Sequence, residues 1–108
     1  MIYKMGKPEG KIEKYLIDQG NEKGFLVYKF RSPGNNGVPD RILIGHGYVF
    51  FVETKKSENE EPRTLQKRII NKMIDHGAYA YVIGCKSDVD TLLASFIENN
   101  PKKPEKIK

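Results

Sequence analysis

The stretch DRILIGHGYVFFVETK, residues 40–55, decides the fold of this 108-residue chain. It holds two runs rich in aliphatic and aromatic residues, 40–44 and 48–55, which are separated by Gly-His-Gly at 45–47. Such runs, split by glycine-containing turn residues, are typical of two antiparallel strands joined by a tight turn. We therefore predict a β-hairpin. The wholly apolar VFFV at 49–52 indicates that its second strand is central in a sheet.

The length of the turn sets which side chains of the hairpin meet. A two-residue turn of His46 and Gly47 places Asp40 directly opposite Glu53. Directly opposed side chains of an antiparallel pair have Cβ atoms about 4.5–5.5 Å apart, so two carboxylates are expected to lie against each other. Lys55, two residues beyond Glu53, projects from the same face of the strand. The register therefore predicts a cluster of two acids and one lysine.

Two explanations of this cluster are open on spacing alone. Asp40, Glu53 and Lys55 can form a structural charge triad at the surface, which contributes about 0–1 kcal/mol. They can instead hold a divalent cation, since Mg²⁺ is usually bound by one or two carboxylates together with substrate phosphate oxygens. The apolar run before Glu53 favours the cation site, because it places both carboxylates at the edge of a dry core. A register shifted by one residue would move Glu53 to the other face and remove this argument.

Patterns on either side of the hairpin predict the remaining elements. The order α, β, β, β, α, β, α predicts an α/β fold with a mixed sheet and flanking helices, because a strand–helix–strand crossover gives a parallel pair. Residues 1–98 form the predicted domain, and the Lys/Pro-rich tail, 99–108, is predicted to be flexible. The further predicted elements are helices at 8–19, at 64–76 and from Ser87 or Asp88 onward, strands at 24–30 and 79–83, and loops at 31–39 and 56–63.

Composition narrows the class of protein. The 19 Lys and Arg against 14 Asp and Glu give a net charge of +5, a mild basic excess that favours an acidic partner such as nucleic acid. A single cysteine, Cys85, excludes an internal disulfide and suits a reducing compartment, so we expect a cytoplasmic protein with no disulfide partner. The sequence shows no apolar stretch long enough to span a bilayer and no apolar core of a secretory signal. We expect neither membrane insertion nor export.

Two polar side chains on the predicted helices are aimed near the cluster. On a helical wheel Glu9 borders the apolar stripe of the first helix, whereas Glu13 lies further round and is predicted to face solvent. Gln66 falls at the centre of the apolar stripe of the second helix, and a buried amide there needs partners. Glu9 either complements the helix dipole or reaches the cation and its waters. Gln66 either binds a strand end or positions water or Lys55.

These residues, taken in order, resemble the VRR-NUC domain, a branch of the PD-(D/E)XK nucleases. The motifs are EGKIE at 9–13, GVPDR at 37–41, VETK at 52–55, Pro62 followed by Leu65-Gln66, and Gly77 before a strand. The resemblance covers residues 8–97 and implies a mixed sheet with flanking helices. Because the domain stands alone, the chain is most similar to small phage members, which implies a homodimer that acts on DNA, including branched or four-way junctions, in the host cytoplasm.

The resemblance also implies roles for individual residues. Asp40 and Glu53 would hold Mg²⁺, or Mn²⁺ in its place, and the Thr54 main-chain carbonyl would complete the ligand set. Glu9, Lys55 and Gln66 would support this catalytic site. Two departures from the family are Gly10, which weakens the first helical turn, and the acidic loop 58–61, which lowers the positive potential near the site.

The chemistry that follows is hydrolysis of phosphodiester bonds by a divalent-metal-dependent DNA endonuclease. The Lys55 ammonium would orient the hydroxide or offset negative charge that develops on the phosphate. The alternative is a non-catalytic nucleic-acid-binding module whose acidic cluster is structural. Basic residues predicted to follow the DNA backbone are Lys29, Arg31, Arg41, Lys56, Arg63, Lys67 and Arg68.

Overall fold

The computed structural model describes residues 10–56 and 59–108. Its element order is the predicted one, and the α/β fold class is confirmed. The elements are α1 (Lys11–Glu22), β1 (Leu26–Lys29), β2 (Arg41–Gly45), β3 (Tyr48–Thr54), α2 (Thr64–Asp75), β4 (Ala80–Ile83) and α3 (Lys86–Ile97). None of these described helices has the length and apolar character needed to cross a membrane.

The four strands form one mixed sheet in the order β1, β2, β3, β4. The pairs β1–β2 and β2–β3 are antiparallel, and β3–β4 is parallel. Gly45 pairs with Tyr48 and Arg41 pairs with Val52, which confirms the predicted hairpin register. The turn has φ of 54° at His46 and 89° at Gly47, and positive φ at both positions is what a two-residue type I′ turn requires.

The core lies on one face of the sheet, which we call the inner face. Phe50 of β3 is completely buried and stacks on Phe96 of α3, with ring centroids 3.9 Å apart. Helices α1 and α3 contact each other, and α1 also contacts β1. The buried residues that form this core are Leu16, Phe25, Val27, Leu43, Phe50, Val52, Tyr81, Ile83, Val89, Leu92, Leu93 and Phe96.

The opposite, outer face of the sheet is partly open. Helix α2 contacts β4. On the other strands Leu26, Tyr28 and Val49 are exposed by 52%, 38% and 48%. Cross-strand pairing of Leu26 with Ile44, and of Ile44 with Val49, places these apolar side chains on one surface.

A buried ion pair joins α1 to the start of β2. The Arg41 Nε donates to Glu13 Oε2 at 2.8 Å, and both residues are buried, with exposures of 0% and 3%. Two predictions from the sequence are therefore wrong. Glu13 does not face solvent, because a guanidinium inside the protein compensates its charge. Arg41 does not present its side chain to DNA, because it has no exposed surface.

The Lys/Pro-rich tail contains no helix or strand beyond residue 100. It nevertheless makes defined contacts: the Asn71 side chain forms two hydrogen bonds with the backbone of Ile107, at 2.8 and 2.7 Å. The flexibility of the tail in solution stays a prediction.

Replacement of Arg41 tests the buried ion pair. Arg41→Met removes the guanidinium that binds Glu13 and leaves a buried carboxylate, so we expect the free energy of unfolding to fall by about 3–5 kcal/mol. The double variant Glu13→Leu/Arg41→Met should recover most of this loss, because an apolar pair of similar volume needs no charge compensation. Urea denaturation followed by circular dichroism measures both. An Arg41→Met protein as stable as the original chain would show that the pair does not stabilise the fold.

Candidate functional site

The two predicted acids meet at neighbouring strand ends. Asp40 immediately precedes β2, and Glu53 is the penultimate residue of β3. The backbone N–H of Asp40 donates to Glu53 Oε1 at 3.0 Å. This contact extends the hairpin by one step beyond the Arg41–Val52 pair. The hairpin register thus brings the carboxylates of the predicted cluster into one place.

Glu53 is held in surroundings that oppose its ionisation. It is 8% exposed, and burial, followed by the negative charge of Asp40, raises its pKa from 4.5 to about 7. The negative charge of Glu13 raises the pKa further, whereas hydrogen bonds from the Asp40 backbone and the Gln66 side chain lower it. Asp40, and more weakly Glu13, therefore place negative potential at Glu53, and a bound cation would offset it.

Gln66 reaches the site from α2. It is 8% exposed, and its side-chain amide forms a hydrogen bond with Glu53. Gln66 thus binds the strand end that carries Glu53, which is the first of the two roles left open for it, and its action on water or Lys55 stays a prediction.

Lys55 and Thr54 line the same cavity as the acids. This cavity has a volume of about 710 Å³ and is also lined by Gly10, Glu13, Asp40, Glu53 and Gln66. The Lys55 backbone N–H donates to the Ile83 carbonyl at 2.8 Å, which continues the β3–β4 pairing beyond β3. This hydrogen bond fixes the backbone of Lys55 at the end of β3, next to the acids.

The loop before Asp40 is held by a close backbone approach. A Cβ at Gly37 would lie 2.8 Å from the carbonyl oxygen of Leu65 and 2.8 Å from the Ile69 side chain. Any side chain at Gly37 would therefore push the loop away from α2. This contact ties the position of Asp40 to the helix that carries Gln66.

Most of the predicted DNA-contacting residues surround this cavity. Lys29, Arg31, Lys56 and Arg63 line it, together with Glu60 and Glu61 from the predicted acidic loop. Lys67 lies on a neighbouring cavity and forms an ion pair with Glu61 at 3.2 Å.

Glu13 is the site residue that the sequence reasoning missed. It lines the cavity and acts electrostatically on Glu53, although the helical wheel assigned it to solvent. Arg41 carried a usable signal, because an arginine within an apolar strand needs a buried acid as partner. Glu9, preferred over Glu13 from the sequence, lies outside the described residues.

The donor set suits a hard divalent cation. Within residues 10–56 and 59–108, no group of three or more His, Cys, Asp or Glu side chains is arranged to hold a metal ion. Mg²⁺ needs fewer protein ligands, since it keeps several waters and commonly takes one or two carboxylates. The carboxylates of Asp40 and Glu53 and the main-chain carbonyl of Thr54 are all oxygen donors of the kind that Mg²⁺ prefers.

Comparison with known proteins agrees with this geometry. No family model matches the sequence. A solved structure titled VRR_NUC domain aligns with a TM-score of 0.72 and 34% sequence identity, over 77% of this chain and 90% of that chain.

Two curated relatives match parts of the chain. "Putative nuclease p44" of Acyrthosiphon pisum secondary endosymbiont phage 1 is 43% identical over 61 residues, which is 56% of this chain and 64% of that protein. Crossover junction endodeoxyribonuclease Hjc of Sulfolobus acidocaldarius is 32% identical over 59 residues, which is 52% of this chain and 41% of that protein. The chain thus spans less than two thirds of the length of either relative. The alignment with nine tenths of a solved domain, at 34% identity, shows that the chain belongs to the VRR-NUC domain family.

Proposed function

We propose that this chain is a divalent-metal-dependent DNA endonuclease that hydrolyses phosphodiester bonds. The observation that carries the proposal is the meeting of Asp40 and Glu53 at adjacent strand ends, in a cavity that Lys55 also lines. The names of the two relatives support it, since one is described as a nuclease and the other as a crossover junction endodeoxyribonuclease. The second name also supports a preference for branched DNA.

The cation would be held by the Asp40 and Glu53 carboxylates and the Thr54 carbonyl, with Mg²⁺ as the expected ion and Mn²⁺ as its substitute. When bound, a divalent cation lowers the pKa of a water and polarises a phosphoryl oxygen. Gln66 would keep the Glu53 carboxylate oriented through its hydrogen bond.

Lys55 would act on the substrate. An ammonium in this cavity would offset the negative charge that develops on the phosphate as the bond to the leaving oxygen breaks. The proposed supporting role of Glu9 and the cytoplasmic location both stay predictions from the sequence.

Substitution of the three central residues tests catalysis. We expect Asp40→Asn, Glu53→Gln and Lys55→Met each to slow nicking of supercoiled plasmid in Mg²⁺ or Mn²⁺ by about 100-fold or more, because each removes a group that holds the cation or stabilises developing charge. Addition of EDTA should abolish nicking by the unaltered chain.

Matched substitutions at the surface are the controls for this assay. Asp18→Asn, Glu98→Gln and Lys14→Met make the same chemical changes on exposed side chains and should leave nicking unchanged. Cleavage that survives loss of both Asp40 and Glu53 carboxylates would overturn the proposal. DNA binding without any cleavage would favour the non-catalytic binding module. A four-way junction compared with a linear duplex tests the preference for branched DNA.

The raised pKa of Glu53 predicts how the stability of the metal-free protein depends on pH. Between pH 4.5 and about 7 the folded protein binds more protons at Glu53 than the unfolded chain does. The free energy of unfolding should therefore fall as pH rises through this window, by roughly 3 kcal/mol from this group. Urea denaturation in EDTA at acid and at neutral pH, for the original chain and Glu53→Gln, measures the difference. Equal pH dependence in both proteins would contradict the burial of an ionisable Glu53.

We further propose that the chain forms a homodimer through the outer face of its sheet. Leu26, Tyr28 and Val49 are exposed there, and a second copy would remove this apolar surface from water. Light scattering at micromolar concentration should give the mass of two chains, and Val49→Asp should shift it toward one. A monomeric mass for the unaltered chain would count against the dimer.

A further inference from the structure

The segment PKKPEKIK, residues 101–108, packs on the protein with a burial pattern that repeats every three residues. Pro101, Pro104 and Ile107 are half-buried, whereas the residues between them are exposed. A spacing of three matches the three residues per turn of an extended polyproline II helix. One side of the segment therefore packs on the protein, and the sides that carry its lysines face solvent.

Hydrogen bonds fix this segment at both ends. The Asn71 side-chain amide donates to the Ile107 carbonyl at 2.8 Å and accepts from the Ile107 N–H at 2.7 Å. The Lys102 N–H donates to Ser95 Oγ at 3.0 Å, and the Tyr81 hydroxyl donates to the Lys102 carbonyl. The segment is thus tied to α2 at one end and to α3 and β4 at the other.

The exposed side of the segment is strongly basic. Its eight residues include four lysines and one glutamate. Lys106 forms an ion pair with Asp75. Within residues 10–56 and 59–108, none of the ion pairs involves Lys102, Lys103 or Lys108. Three cationic side chains thus remain available to an anionic partner.

The basic side borders the proposed catalytic site. A second cavity of about 590 Å³ is lined by Lys102, Lys103 and Lys108 of the segment and by Lys55 and Lys67. Lys55 lines this cavity and the acidic one alike. The wall also carries four acids, Glu60, Glu61, Asp88 and Glu105, of which Glu61 is paired with Lys67. The two cavities therefore form adjacent stretches of one surface.

We propose that segment 101–108 is a docked lysine strap that binds phosphate groups of the DNA on which the site acts. The proposal rests on the proposed function and adds a second contact region to it. Continuity through Lys55 favours a phosphate backbone as the partner, because a chain of phosphates that crosses the acidic cavity would next meet Lys102 and Lys103. Docking orders the strap when the protein folds, so that less ordering remains to oppose DNA binding.

Removal of the unpaired strap charges tests the proposal. The triple variant Lys102→Gln/Lys103→Gln/Lys108→Gln should bind a fluorescein-labelled DNA duplex about tenfold or more weakly near 0.1 M salt, measured by anisotropy with Ca²⁺ in place of Mg²⁺. The slope of log affinity against log salt concentration should become shallower by about 2–3, because the variant makes fewer phosphate contacts and its binding releases fewer counterions.

A matched triple variant controls for net charge. Lys14→Gln/Lys23→Gln/Lys72→Gln removes the same charge from side chains that line neither cavity, and screening should keep its affinity within about twofold of the original. Equal weakening by both triple variants would overturn the strap. If the original chain nicks plasmid while the two triple variants bind alike, the strap fails and the nuclease stands. If the original chain neither binds nor nicks DNA, both fail.

Docking has a readout that does not depend on DNA. The Ile107 amide should exchange slowly with solvent in the original chain, because its N–H is bonded to Asn71 Oδ1. Asn71→Ala should make this exchange fast while leaving every lysine in place. Fast exchange of Ile107 in the original chain would show that the strap is not docked.

Discussion

The β2–β3 register makes a site out of two acids that repel each other. Because Arg41 pairs with Val52, Asp40 and Glu53 lie opposite each other at the ends of their strands. The core beneath them, centred on Phe50 and Phe96, prevents a one-residue slip, because a slip would turn every buried side chain of the strand outward. The sheet thus holds two carboxylates close together despite their repulsion. A cation that binds between them would relieve this repulsion, which favours its binding.

The residues around the acidic pair reduce this repulsion without removing it. Arg41 compensates Glu13 inside the protein, and Gln66 donates a hydrogen bond to Glu53. Arg41 directly follows Asp40 in the chain, and Gln66 comes from α2. Gly37 lets the loop approach α2 closely enough for this arrangement. The site therefore forms where α1, the hairpin and α2 meet: α1 contributes Glu13, α2 contributes Gln66, and the hairpin contributes the two acids and Lys55.

The sequence predicts what depends on local spacing and misses what depends on partners from distant segments. The hairpin, its register, the order of the elements and the burial of Gln66 all follow from alternation, turn residues and helical periodicity. The burial of Glu13 could not be obtained in this way, because a helical wheel carries no information on an arginine 28 positions away. For the same reason Arg41 was assigned to DNA. In segment 101–108, composition predicts a flexible tail, and the spacing of Pro101, Pro104 and Ile107 indicates which of its residues pack on the protein.

The central claim is that Asp40 and Glu53 share one divalent cation. An anomalous difference map from a crystal soaked in Mn²⁺ tests it most directly, because manganese scatters anomalously and accepts the same oxygen ligands as Mg²⁺. The account predicts a peak between the two carboxylates and beside the Thr54 carbonyl. A map with no peak there, or with manganese bound only elsewhere on the protein, would contradict it.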